Sequence, residues 1–129
     1  MTKIRAAITA VGHYVPETVL TNADMEKIVE TNDEWIKSRT GISERRILTN
    51  GEPMSFMAVE AIKLLLERRK ITADDIDLIL VGTVTPDMLF PSTACVIQEK
   101  IGASKAWGFD GLAACSGFIF TLVAGMQVI

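Results

Sequence analysis

The sequence predicts an α/β fold built on a mostly parallel sheet, and three observations predict it. Short apolar runs alternate with amphipathic stretches, as βαβ units require. Two of the runs, residues 76–82 (IDLILVG) and 106–110 (AWGFD), each lead through a loop or small-residue turn into a helical segment. The last segment, from Ser116 onward, has no polar face; a helix apolar all round lies in a membrane or is buried on every side.

Along the chain, residues 4–11 read as a short buried strand, ended by Gly12 and later by Pro16. Thr21 and Asn22 open a helix in which Asn22 can act as the cap, with Met25, Ile28 and Val29 on one face. A second short helix starts at Asn32, has Asp33 and Glu34 in its positive first turn, carries Trp35, Ile36 and Arg39, and exits at Gly41. Residues 50–53 form a turn. Residues 55–70 are the clearest amphipathic helix: Phe56, Val59, Ile62, Leu65 and Leu66 recur at helical spacing between charged residues. A capped turn at 72–75 precedes the strand at 76–82. The loop 83–91 contains two prolines, and Ser92 caps a helix that runs to about Ile101 and ends at Gly102.

No residue is charged between Gly111 and Ile129, a length close to that of a membrane span. The strand and small-residue turn before it favour a buried helix instead. Such a helix needs a layer above and a layer below, so the expectation is one domain over residues 1–129 that is incomplete, with further sequence or a partner chain covering the helix.

Composition narrows the function. The chain has 129 residues, 49% of them hydrophobic, and a net charge of −3, which argues against a nucleic-acid binder. Lys37, Arg39, Arg45 and Arg46 cluster locally, as a solvated face commonly does. One histidine, His13, and two cysteines without a C-x-x-C exclude a zinc site and a disulfide framework. Residues 4–11 are too short for the apolar core of a signal peptide, so cytoplasmic residence is expected.

Cys115 stands where a strand passes through a turn of small residues into a helix. Unpaired N–H groups at a helix start favour a thiolate and can donate to an oxyanion. The layout resembles the strand–nucleophile–helix elbow of hydrolases. On spacing alone a small buried hydrophobe remains the competing reading. Cys95, mid-helix between Ala94 and Val96, has no such elbow.

Residues 110–118 (DGLAACSGF) resemble the active-site cysteine signature of the β-ketoacyl-acyl-carrier-protein synthase III family. Residues 21–27 (TNADMEK), 31–45 (TNDEWIKSRTGISER) and 90–98 (FPSTACVIQ) match further family segments in the same order. The resemblance implies the N-terminal half of a thiolase-like layered αβαβα fold, with a mostly parallel or mixed sheet and a buried central helix. It implies condensation of a short acyl-CoA primer, acetyl-CoA above all, with malonyl-acyl carrier protein, through a thioester on Cys115. By the same resemblance, Trp35 stacks on the CoA adenine, Arg39 contacts the nucleotide, Thr31 lies beside the adenine, and Phe90 reaches across a homodimer to the partner's acyl pocket. CoA is then a substrate, with no permanently bound cofactor, no metal, no nucleic acid and no membrane.

Two departures qualify the match. Gly111-Leu112 stands where the family more often has a β-branched or larger residue followed by a small one. The family's catalytic histidine and asparagine motifs are absent, and His13 lies in the wrong motif, so this chain alone is expected not to complete condensation. The competing expectations are a non-catalytic CoA-binding or dimerisation fragment and a specialised thiolase-fold synthase.

Overall fold

The computed structural model describes residues 6–129. The chain divides into two compact units, one of Val15–Glu52 and one of Met1–Tyr14 with Pro53–Ile129.

In the smaller unit, β1 (Val19–Thr21) pairs antiparallel with β2 (Glu44–Arg46), Leu20 opposite Arg45. Between them lie α1 (Asn22–Met25) and α2 (Asp33–Thr40). The cap of α1 is Thr21 rather than Asn22: the Thr21 hydroxyl accepts from the Asp24 N–H, and the Asp24 carboxylate accepts from the Thr21 N–H. Asn22 is instead the buried centre of the unit, 2% exposed. Its amide donates to Asp33 Oδ1 at 2.8 Å and to the Ile42 carbonyl at 2.9 Å, and its oxygen accepts from Arg45 at 2.8 Å. A buried amide needs such partners, and here the fold supplies them. α2 follows expectation: Asn32 Oδ1 accepts from the Trp35 N–H at 2.8 Å, and Gly41 exits at φ 72°. Lys37 pairs with Asp33, Arg45 serves Asn22, and Arg46 donates to the Glu17 carbonyl.

The larger unit is built on α3 (Met54–Arg69), β3 (Leu78–Gly82), α4 (Thr93–Ile101), β4 (Trp107–Gly111) and α5 (Gly117–Gln127). β3 and β4 run parallel, from Leu78 opposite Trp107 to Gly82 opposite Gly111. Strand alternation places α4 and α5 on opposite faces of this pair. A Cβ on Gly108 would meet Ala94 of α4 at 3.0 Å, and one on Gly111, three residues on, would meet Thr121 of α5 at 2.9 Å. The α4 face holds the core: Ile79, Ala94, Ile97, Ala103 and Ala106, closed by Val59 of α3. The capped turn expected at 72–75 forms, with Thr72 and Asp75 bonded reciprocally.

Two expectations are only partly met. The strand expected at 4–11 begins outside the described residues, and residues 6–11 form no strand. A strand needs a neighbour for its N–H and C=O groups; Ile8 and Val11 are exposed, and the Val11 carbonyl accepts from the Arg68 guanidinium. α5 is covered by β3 and β4 on one side only. Phe118, Ile119, Phe120 and Val123 remain exposed, because one strand pair supplies one layer. No helix among the described residues is long and apolar enough to cross a membrane.

Candidate active site

β4 ends at Gly111, and a short connection with a single helical turn at Ala114–Ser116 leads into α5. Cys115 lies in that turn and is exposed. Ala114, immediately before it, has φ 44°. Left-handed backbone costs an L-residue roughly 1–2 kcal/mol, so surrounding structure must hold it. This is the sharp turn that the elbow pattern anticipated, placed on a residue whose identity gives no sign of it. On the α5 side, Ser116 makes no side-chain capping bond.

The two helices that follow strands β3 and β4 treat their N-termini differently. In α4 the first four N–H groups are all taken. Those of Thr93 and Ala94 donate to the Asp110 carboxylate at 2.7 and 2.8 Å, that of Cys95 to Ser92 Oγ, and that of Val96 to the Ser92 carbonyl. Asp110 thereby ties the end of β4 to the start of α4, five residues before Cys115. In α5, the Gly117 N–H returns to the Ala114 carbonyl, and no side chain serves the rest of the turn. A helix start without a side-chain cap is suited to receive developing negative charge. Close packing brings it against the strand ends: a Cβ on Gly82 would lie 3.0 Å from the Gly117 carbonyl carbon and 3.3 Å from the Phe118 nitrogen. An apolar concavity of about 970 Å³ between residues 6–8, β3 and α5 is lined by Leu80, Phe118 and Met126 but not by Cys115. Cys95 is half-buried, with the Ser92 hydroxyl donating to its sulfur.

In the smaller unit, Thr31 and Trp35 line one concavity of about 230 Å³ together with Glu30 and Asn32, which sequence reasoning had not placed in the site. Trp35 is 53% exposed, and the Arg39 guanidinium lies 4.9 Å over its ring. The helical spacing of four between Trp35 and Arg39 brings the two together. Thr31 Oγ1 is buried without a hydrogen-bond partner. An aromatic face beside a guanidinium suits a purine nucleotide.

Phe90 is 89% exposed and Leu89 99%, at the tip of the 83–91 loop. Asp87 anchors that loop by accepting from the Ser55 N–H at 3.0 Å, a bond between residues 32 apart that no local pattern signals. His13 is exposed. Among the described residues, no group of three or more His, Cys, Asp or Glu side chains could hold a metal ion.

No family-level sequence profile matches the chain. Individual relatives do. β-Ketoacyl-[acyl-carrier-protein] synthase III of Chlorobaculum tepidum is 55% identical over 127 residues, 98% of this chain and 39% of the relative. The corresponding Bacillus cereus protein is 55% identical over 126 residues, 98% of this chain and 41% of the relative. Among solved structures, the Thermus thermophilus synthase III superposes with a TM-score of 0.87 at 44% identity, covering 96% of this chain and 38% of that one. The Aquifex aeolicus 3-oxoacyl-[acyl-carrier-protein] synthase III gives 0.84 at 47% identity, covering 90% and 37%. The chain thus spans about two fifths of the length of the curated relatives it matches. Along its whole length it is homologous to the N-terminal part of the β-ketoacyl-acyl-carrier-protein synthases III, and its fold is thiolase-like.

Proposed function

We propose that the protein containing this chain is an acyltransferase that starts fatty acid synthesis by condensing an acyl-CoA primer, acetyl-CoA above all, with malonyl-acyl carrier protein. The observation that carries the reading is Cys115, exposed on a strand-to-helix elbow between a left-handed Ala114 and a helix start without a side-chain cap. Its thiolate attacks the acyl-CoA carbonyl, the oxyanion is held by N–H groups at the α5 start, and CoA leaves as its thiol. Loss of CO₂ from the malonyl thioester then gives a carbanion that attacks the Cys115 thioester. The cysteine is released and the β-ketoacyl product stays on the carrier protein. One hard step becomes two easier ones.

In this reading Trp35 stacks on the CoA adenine, Arg39 contacts the nucleotide and Thr31 lies beside the adenine. Phe90 reaches the acyl pocket of a second subunit in a homodimer. The protein works in the cytoplasm, with CoA and carrier protein as partners and without a resident cofactor or metal. Residues 1–129 form the N-terminal part of one thiolase-like domain. His13 is exposed and outside the family's motif, and the family's histidine and asparagine motifs are absent from these residues, so this chain by itself does not complete the condensation.

The test is mass spectrometry of the full-length protein after incubation with acetyl-CoA, beside Cys115→Ala. One acetyl gained at Cys115 and none in the variant supports the reading. A gain only with longer acyl-CoAs moves the protein toward a specialised thiolase-fold synthase. No gain with any acyl-CoA leaves a binding or dimerisation role. Trp35→Ala is expected to raise the half-saturating acetyl-CoA concentration about tenfold, the scale of one lost stacking contact.

A further inference from the structure

Thr121 lies one turn into α5. Its hydroxyl is 2.9 Å from the Gly117 carbonyl oxygen and 3.0 Å from that of Phe118, so it donates back into the first turn of its own helix. Threonine in a helix divides between two rotamers, and this bond selects one. In that rotamer the methyl faces the end of β4, where a Cβ on Gly111 would lie 2.9 Å from Cγ2. No side chain fits at residue 111 while Thr121 stands where it does. Gly117 is itself buried against Gly82, its own Cβ position 3.6 Å from the Gly82 Cα. Thr121 therefore bears on both ends of the 111–117 connection: its methyl on the last residue of β4, its hydroxyl on the first of α5. Cys115 lies between them, next to the left-handed Ala114, a conformation that the surrounding structure must hold.

We propose that Thr121 is a positioning residue for Cys115, and that Gly111 and Thr121 form a compensated pair fixing the span of the connection that carries the nucleophile. The proposal rests on Cys115 as the acyl acceptor and deepens it. It also accounts for the departure from the family pattern at residue 111: glycine there is the counterpart of threonine at 121, and a larger residue at 111 requires a smaller one at 121.

The experiment compares wild type, Gly111→Ala, Thr121→Ala and the double variant in the full-length protein. Two rates are read at Cys115: acetylation by acetyl-CoA and alkylation by iodoacetamide at fixed pH. Gly111→Ala is expected to slow both about tenfold and Thr121→Ala about threefold, with half-saturating acetyl-CoA within about twofold of wild type, since small displacements of a reacting group cost rate rather than binding. The double variant recovers to at least the Thr121→Ala rates, because neighbouring substitutions that relieve one clash are not additive. A double variant about thirtyfold slow, the product of the singles, overturns the pairing. If Gly111→Ala does not fold, Thr121→Ser, which keeps the hydroxyl and removes the methyl, decides: wild-type rates in both Thr121→Ser and Thr121→Ala overturn the proposal. Wild type that is alkylated but never acetylated defeats the acyl-acceptor reading alone, while the alkylation series still tests positioning.

Discussion

The two units of the chain are held together by different means. In Val15–Glu52 the buried side chains are few, and the central one is an amide: Asn22 ties α1, α2 and the approach to β2 through three hydrogen bonds. In the unit bearing Cys115, the centre is aliphatic, with Ile97 and Ile79 enclosed by alanines and Val59. A polar centre specifies geometry, since each bond has a direction, but adds little net stability. An apolar centre stabilises without direction and depends on shape. Trp35 and Arg39 therefore sit on a scaffold defined by hydrogen bonds, and Cys115 on one defined by packing.

That contrast can be broken by substitution. The largest effect is expected from Ile97→Ala, which opens a cavity at a site 1% exposed and costs about 2–5 kcal/mol. Urea unfolding reads the loss, and hydrogen exchange should rise first in β3, α4 and β4. Asn22→Leu comes next, at about 2 kcal/mol, because it strips partners from Asp33, Arg45 and the Ile42 carbonyl. Its exchange signature should appear in residues 15–52; an equal rise across both units in either variant would show that they unfold as one and that the contrast has no energetic meaning.

The smallest effect is acid sensitivity. The Asn22 amide, and after it the Lys37 ammonium, hold the Asp33 carboxyl below its ordinary value. A carboxylate with a depressed folded value contributes at neutral pH. That contribution fades as the pH falls below the unfolded value of about 3.9 and is gone below the folded one. Asp33→Asn should flatten the fall of the urea midpoint between neutral pH and that acid range. An unchanged slope would assign the acid response to other groups.

What could be read in the sequence follows the same division. Asn32 with Gly41, and Ser92 with Gly102, marked α2 and α4 because capping is local chemistry. Thr21 and Asn22 are both good caps, and only the reciprocal bond with Asp24, visible as T-x-x-D, decides between them. β1 and β2 were not legible: three residues each, they pair across an intervening 22 residues, and neither alternates clearly. In the candidate site, Cys115, Trp35 and Arg39 were singled out by their resemblance to family segments, and the helical spacing of four accounts for Arg39 lying over the Trp35 ring. The left-handed Ala114, the Asp87 anchor and the Gly111–Thr121 contact were not legible, since each is fixed by a neighbour distant in sequence or by a backbone angle that alanine does not signal.

The clamp of Asp110 on α4 has an electrostatic consequence. The start of a helix is a natural seat for phosphate or sulfate. In α4 that seat is filled by an anion of the chain's own, both oxygens of one carboxylate engaged by adjacent N–H groups. A free phosphate or sulfate thus finds no vacant seat there, and the positive end of the helix dipole is met from within the protein. Removing the Asp110 carboxylate would turn a structural joint into a vacant anion seat at the start of α4.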